Sequence, residues 1–70
     1  MLGANIRDRR IKLGMTQEKF ANLIGCSQSN VSKYENEDLG IDATMIPRIT
    51  RALGCTIDDL YQDNTEQKGA

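Results

Sequence analysis

Residues 16–36 read TQEKFANLIGCSQSNVSKYEN, and this stretch decides the fold. It holds two segments with apolar residues at helical spacing, separated by three residues, 25–27. Thr16 and Ser27 each stand where a hydroxyl side chain caps the start of a helix. Gly25 can adopt the left-handed conformation that ends one. The stretch therefore predicts two short helices joined by a tight turn, over 17–24 and from 28 to about 36.

The same stretch fits the packing rules of a helix–turn–helix. Such a unit needs a small residue where the helices cross, a glycine in the turn and apolar anchors on both inner faces. Ala21 and Gly25 meet the first two needs. The predicted anchors are Phe20, Ile24, Val31 and Tyr34, with Leu23 expected on the same face of the first helix as Phe20 and Ile24.

The opposite side of the second helix carries side chains that can read DNA. Its members are all uncharged or basic: Gln28, Ser29, Ser32, Lys33 and Asn36. Glutamine pairs with adenine, lysine reaches guanine, and serine bonds several base edges. The alternative is an ordinary solvated face, but such a face usually mixes acidic with basic residues. We favour DNA readout, with Gln28, Ser29, Ser32 and Lys33 as base contacts.

Three further helices are predicted around this pair. The first runs from Asn5 to Leu13 and ends at Gly14. In the fourth, Pro47 is tolerated only within the first turn, so Thr44 is the expected cap and Met45 the first helical residue. Thr56 and Asp59 form a capping box for a last helix to about Gln62. We expect one all-α domain over 1–62 and a flexible polar tail over 63–70.

A short repeat links the second and fourth helix ends. Residues 23–27 and 52–56 share the pattern of an apolar helix end, glycine, cysteine and a hydroxyl cap. The residue after such a glycine commonly packs back on the helix. Cys26 and Cys55 are therefore expected to be small buried apolar groups, rather than a disulfide or a redox or metal site.

Composition excludes most enzyme classes. The 70 residues include no histidine and only two cysteines, which removes imidazole-based catalysis and a four-ligand zinc site. We therefore expect no enzyme, cofactor, metal or small-molecule substrate. No apolar run is long enough for a membrane span or a secretory signal, so we expect a cytoplasmic protein.

Charge is unevenly distributed along the chain. Residues 1–36 hold six basic and three acidic residues, whereas residues 37–70 hold three basic and seven acidic ones. Chance could produce this difference among so few charges. The more informative interpretation is a basic face for an anionic partner and an acidic remainder.

Residues 5 to about 61 resemble the Cro/C1-type (XRE-like) helix-turn-helix family of the lambdoid phage repressors. The resemblance rests on Arg10, Ala21, Gly25 and three stretches: 16–17, 27–36 and 52–55. It implies an all-α bundle of five short helices whose third helix enters the DNA major groove. It also implies a transcriptional repressor that binds a palindromic operator as a homodimer.

The resemblance also implies roles for individual residues. Gln28, Ser29 and Lys33 match base-reading positions, Gln17 and Asn36 match phosphate contacts, and Arg10 with Glu35 matches a buried ion pair. Arg9 departs from the pattern, because an apolar residue is common there; it is either a phosphate contact or simply solvated. Glu37 and Asp38 also depart from it, and carboxylates near phosphates would weaken DNA binding.

The chain offers few candidates for a dimer surface. By position these are Ile57, Leu60 and Tyr61, with Leu39 and Ile41 possible additions, although Leu60 is equally suited to the core. We expect a small interface that forms weakly without DNA. An alternative function is an antitoxin-like or co-regulator module that keeps the fold, binds DNA weakly or not at all, and docks through its last two helices.

Overall fold

The helices follow the glycine and cap signals of the sequence. The computed structural model describes residues 2–37 and 39–61, which form five α-helices and no strand. These are α1 (Leu2–Lys12), α2 (Gln17–Ile24), α3 (Gln28–Glu35), α4 (Ile46–Leu53) and α5 (Ile57–Tyr61). The predicted all-α five-helix bundle, with a helix–turn–helix at α2 and α3, is confirmed. The predicted tail, 63–70, and the predicted helix end at Gln62 lie outside the described residues.

Two helix starts differ from the prediction. α1 begins at Leu2 rather than Asn5, because Leu2 packs against the core and the Gly3 N–H has a side-chain acceptor on Glu37. α4 begins at Ile46, and Thr44 is not its cap. The chain enters α4 through a turn in which the Met45 N–H donates to the Asp42 carbonyl at 2.9 Å, so no hydroxyl cap is used.

The core lies where all five helices meet. α4 packs on α2 and α5, while α1 closes the bundle against α3, α4 and α5. The Asn5 Nδ2 donates to the Leu60 carbonyl at 2.8 Å, which ties α1 to α5 within the interior. The buried apolar residues of this core are Ile6, Phe20, Ala21, Ile24, Val31, Tyr34, Ile49, Leu53 and Leu60.

Some apolar residues expected inside are at the surface. Leu23 is more than half exposed, although its spacing predicted the same inner face as Phe20 and Ile24. Cys26 and Cys55 are free and only half-buried, so their predicted full burial is wrong: each lies in a turn at the rim of the core. Among the described residues, no helix has the length and apolar character needed to cross a bilayer.

Candidate nucleic-acid interface

The start of α3 is held by the turn that precedes it. Gly25 has φ +78° and its N–H donates to the Ala21 carbonyl at 2.9 Å, which ends α2. The Ser27 Oγ then accepts from the Asn30 N–H at 3.2 Å and caps α3. Thr16 caps α2 in the same way, through the Lys19 N–H at 3.0 Å. Both caps are as predicted, and together they set the direction of α3.

The inner side of α3 is firmly packed. Val31 and Tyr34 lie in the core against α2, whose small residue Ala21 is buried at the contact, as predicted. Burial raises the pKa of the Tyr34 hydroxyl, and the nearby Cys26 and Asp42 raise it further. Tyr34 therefore remains a neutral core residue at physiological pH.

The outer side of α3 is free for a ligand. Gln28, Ser29 and Lys33 are exposed, whereas Ser32 is half-buried. The helix contains one acidic residue, Glu35, and that residue is buried. The outer face of α3 therefore presents amide, hydroxyl and ammonium donors without a carboxylate.

Glu35 is buried because it forms an ion pair with Arg10. The Arg10 Nε lies 2.7 Å from Glu35 Oε2, and Nη2 donates to Oε1 at 3.2 Å, a two-point contact between α1 and α3. The third guanidinium nitrogen, Nη1, donates to the Met15 carbonyl at 2.7 Å. One buried arginine thus joins α1, the α1–α2 loop and α3, and no buried side-chain polar atom in the described chain lacks a partner.

Gln17 extends this network to the surface. Its Nε2 donates to Glu35 Oε1 at 3.1 Å, while its Oε1 accepts from Gln28 Nε2 at 3.5 Å. Gln17 is also the first residue of α2, where unpaired backbone N–H groups favour an anion. The side chain therefore connects the buried ion pair with the first residue of α3.

The segment after α3 contains a contact that the sequence did not indicate. Asn36 ends α3 and is exposed. Glu37 follows with φ +64°, and its Oε2 accepts from the Gly3 N–H at 2.7 Å. The partners are 34 positions apart, and neither residue type signals such a pairing. Gly3 was missed as a functional candidate for that reason.

Arg9 lies on a different side of α1 from Arg10. Its Nη2 donates to the Asp59 carbonyl of α5 at 3.4 Å, and its side chain is half-buried. The structure therefore gives Arg9 a contact with α5, which neither expectation for this residue included. It does not join the group formed by Gln17 and Gln28.

The three dimer candidates divide into two groups. Leu60 is fully buried in the core of the monomer, so its assignment to an interface is wrong: it packs beneath α1 and α4 and has no surface to offer. Ile57 and Tyr61 are 49% and 56% exposed on the outside of α5. Leu39 is also exposed, whereas Ile41 is half-buried against the core.

Known proteins with similar sequences are regulators and an antitoxin. A transcriptional regulator in the ATPase CF(0) region of Rhodospirillum rubrum is 36% identical over 89% of this chain and 57% of its own length. The propionyl-CoA carboxylase regulator of Cereibacter sphaeroides is 31% identical over 93% of this chain but only 14% of its own length. The antitoxin PezA of Streptococcus pneumoniae is 28% identical over 91% of this chain and 40% of its own length. The chain thus spans only part of these relatives.

Solved structures share the fold over most of the chain. The P22 c2 repressor, in complex with synthetic operator 9T, has a TM-score of 0.82 and 28% identity over 86% of this chain and 91% of its own. A hypothetical transcription factor, NHTF from Neisseria, has a TM-score of 0.87 and 28% identity over 97% of this chain and 78% of its own. The helix-turn-helix family model matches residues 6–60, which include all of α2, α3 and α4. The chain therefore belongs to the Cro/C1-type helix-turn-helix family, a family of DNA-binding transcriptional regulators rather than of enzymes.

Proposed function

We propose that this chain is a sequence-specific repressor, acting in the cytoplasm, that binds a palindromic operator as a homodimer with α3 in the major groove. The observation that carries the proposal is the outer face of α3, whose exposed side chains are all neutral or basic. The helix that bears them is anchored by a buried ion pair. The similarly folded P22 c2 repressor was solved in complex with a synthetic operator, which supports DNA as the partner.

Base readout is assigned to the outer face of α3. Gln28 and Lys33 are the main specificity residues, because an amide can pair with adenine and an ammonium with guanine O6 and N7. Ser29 is exposed and adds a hydroxyl to the same face. Ser32 is half-buried, so its hydroxyl has less access to a base edge.

Phosphate contacts are assigned to the ends of the helices. Gln17 lies at the N-terminus of α2, and its contact with Gln28 keeps its amide beside α3. Asn36 lies exposed at the other end of α3. Such contacts position the protein on DNA and carry no sequence information themselves. Arg9 takes no part in this assignment, because its guanidinium lies on α5.

Homodimer formation is assigned to Ile57 and Tyr61. Both are large, apolar and about half exposed on a helix with no neighbour on its outer side in the described chain. A two-fold dimer would place two copies of α3 in major grooves about 34 Å apart, one turn of DNA. With so few apolar side chains the interface is small, so dimers form chiefly on DNA.

Selection of bound sites from random DNA tests the main proposal, followed by titration of variants on the selected site. Gln28→Ala and Lys33→Ala should each cost about 1–3 kcal/mol and change the preferred bases. Gln17→Ala should weaken the selected and scrambled sites equally. Lys12→Ala is the matched control, because Lys12 is an exposed lysine at the end of α1. Unchanged base preference in both α3 variants would contradict readout by α3.

Sedimentation with and without the selected site tests the dimer. We expect two protomers per palindrome and a largely monomeric free protein. Tyr61→Ser should reduce cooperative binding without changing base preference, since Tyr61 is exposed and outside α3. One protomer per saturated site would contradict the homodimer.

A second candidate function is an antitoxin-like module that docks on a partner protein through α4 and α5. Two observations favour it: the likeness to PezA, and the exposed Ile57 and Tyr61 on a helix whose first turn contains Asp58 and Asp59. A gel-shift series over several salt concentrations separates the two functions. For a protein that contacts phosphates, the logarithm of the affinity falls linearly with the logarithm of the salt concentration. A protein-docking module would instead show no sequence-specific shift of the DNA band.

A further inference from the structure

Glu37 occupies an unusual position for its residue type. It has φ +64°, in the left-handed region that favours glycine, and among the described residues it is the single non-glycine there. A bulky side chain is held in that conformation only when surrounding contacts stabilise it. Two contacts are present: the Glu37 N–H donates to the Tyr34 carbonyl at 3.1 Å, and Glu37 Oε2 accepts from the Gly3 N–H at 2.7 Å.

The contact with Gly3 closes a tight junction between two helices. Gly3 lies in the first turn of α1, where backbone N–H groups have no partner within the helix. A Cβ on Gly3 would lie 2.6 Å from the carbonyl oxygens of Tyr34 and Glu35, so the α1 N-terminus lies directly against the end of α3. The positive end of one helix dipole thus meets the negative end of another, and the Glu37 carboxylate adds a charge that favours the same arrangement.

The junction lies beside the surface assigned to DNA. Asn36, the proposed phosphate contact, immediately precedes Glu37, and Glu35 of the buried ion pair immediately precedes Asn36. A carboxylate this close to the phosphate backbone would repel it if it were free. In the structure the carboxylate is instead bound to the α1 N-terminus.

We propose that Glu37 is a positioning residue of the DNA-binding surface. By binding the N-terminus of α1 it fixes the end of α3 and the backbone of Asn36, and the same bond holds its negative charge away from phosphate. The assignment rests on the proposed DNA-binding function. The carboxylate of Glu37, which the sequence alone predicts to weaken DNA binding, would then support it.

Three variants test the assignment against the selected operator. Glu37→Gly removes the carboxylate while suiting the backbone conformation, so the urea midpoint should change little. Its operator affinity should fall by about two- to tenfold, because the variant loses the one hydrogen bond that fixes the end of α3. Glu37→Gln keeps an oxygen acceptor for the Gly3 N–H and should restore affinity to within about twofold. Asp8→Asn is the charge-matched control, because Asp8 is an exposed carboxylate on α1.

The salt dependence of binding separates the positioning role from electrostatic repulsion of DNA by the Glu37 carboxylate. The slope should be the same in all four proteins, because Glu37 touches no phosphate and the number of neutralised phosphates is unchanged. Tighter binding and a steeper slope in both Glu37 variants, beyond the effect of Asp8→Asn, would show that the carboxylate repels DNA. Wild-type affinity in Glu37→Gly would also overturn the positioning role.

Amide hydrogen exchange at Gly3 distinguishes failure of this assignment from failure of the proposed function. Exchange should accelerate in Glu37→Gly and remain near the wild-type rate in Glu37→Gln, whether or not DNA is present. Unchanged exchange in Glu37→Gly would refute the junction itself. Protected Gly3 with no DNA binding by the wild-type chain would instead refute the DNA-binding function, and the positioning role with it.

Discussion

The turn between α2 and α3 and the turn between α4 and α5 are built alike but lead to helices of opposite character. Each has a glycine with positive φ, a half-buried cysteine and a hydroxyl N-cap. α3 then exposes neutral and basic side chains, whereas α5 carries two aspartates in its first turn. Similar local chemistry therefore produces similar turns, and the residues that follow each turn determine what the helix can bind.

The two helices are also held in place differently. α3 is tied to α1 by the buried pair of Arg10 and Glu35. α5 has no ion pair with α1 in the described chain; it is held by the buried Leu60, by the hydrogen bond from Asn5 to the Leu60 carbonyl and by its cap. The difference predicts which substitutions destabilise the whole bundle and which act within one turn.

The largest effect is expected at Glu35. Glu35→Ala leaves the Arg10 guanidinium buried and unpaired, because both side chains are at most 10% exposed. We expect a loss of about 3–5 kcal/mol in unfolding free energy, measured by urea denaturation. Asp59→Ala in α5 should cost only about 1 kcal/mol, since it removes an exposed cap contact. Similar shifts in the two variants would mean that the ion pair does not anchor α3.

The two turn glycines should respond almost equally to alanine. Gly25 and Gly54 have φ +78° and +67°, so a Cβ costs about 1–2 kcal/mol at each. At Gly25 the added carbon also lies 3.0 Å from Arg48 Nη1, the end of a flexible side chain that can move aside. Nothing lies within 4 Å at Gly54. Thermal unfolding of both variants measures this. A clearly larger loss of stability in Gly54→Ala than in Gly25→Ala would contradict the equivalence of the two turns.

Loss of the hydroxyl caps is expected to cost less. Ser27→Ala removes the acceptor for the Asn30 N–H, and Thr56→Ala removes the acceptor for the Asp59 N–H, at about 1 kcal/mol each. Only Ser27→Ala should also weaken operator binding, because its cap begins the helix that carries Gln28 and Ser29. Urea midpoints combined with DNA titration would check both statements. Weaker operator binding by Thr56→Ala at unchanged stability would contradict them.

The smallest effect concerns the two thiols. Burial raises the pKa of both Cys26 and Cys55. Because the thiolate is the nucleophile, each should react with iodoacetamide at pH 8 more slowly than a fully exposed cysteine does. Arg9 lowers the pKa of Cys55, so Arg9→Ala should raise that pKa and slow its alkylation further. Cys26 is the internal control, since burial alone raises its pKa. Faster reaction of Cys55 in Arg9→Ala would contradict this effect of the Arg9 charge on the pKa of Cys55.

The amino-acid sequence by itself determined the features that depend on a few neighbouring residues. The bounds of α2, the starts of α3 and α5, the glycine helix ends and the hydroxyl caps at Thr16, Ser27 and Thr56 all arise from contacts within about five positions. The apolar anchors of the helix–turn–helix also followed from helical spacing. Such features are readable because local geometry leaves few alternatives.

Tertiary structure alone decided the features whose partners are distant along the chain. The early start of α1 depends on Glu37, the direction of Arg9 depends on α5, and the burial of Leu60 depends on α1 and α4. These partners are 34 or more positions away in the first two cases. No local pattern encodes them, because whether a side chain is buried, paired or exposed depends on which helix faces it once the bundle has closed.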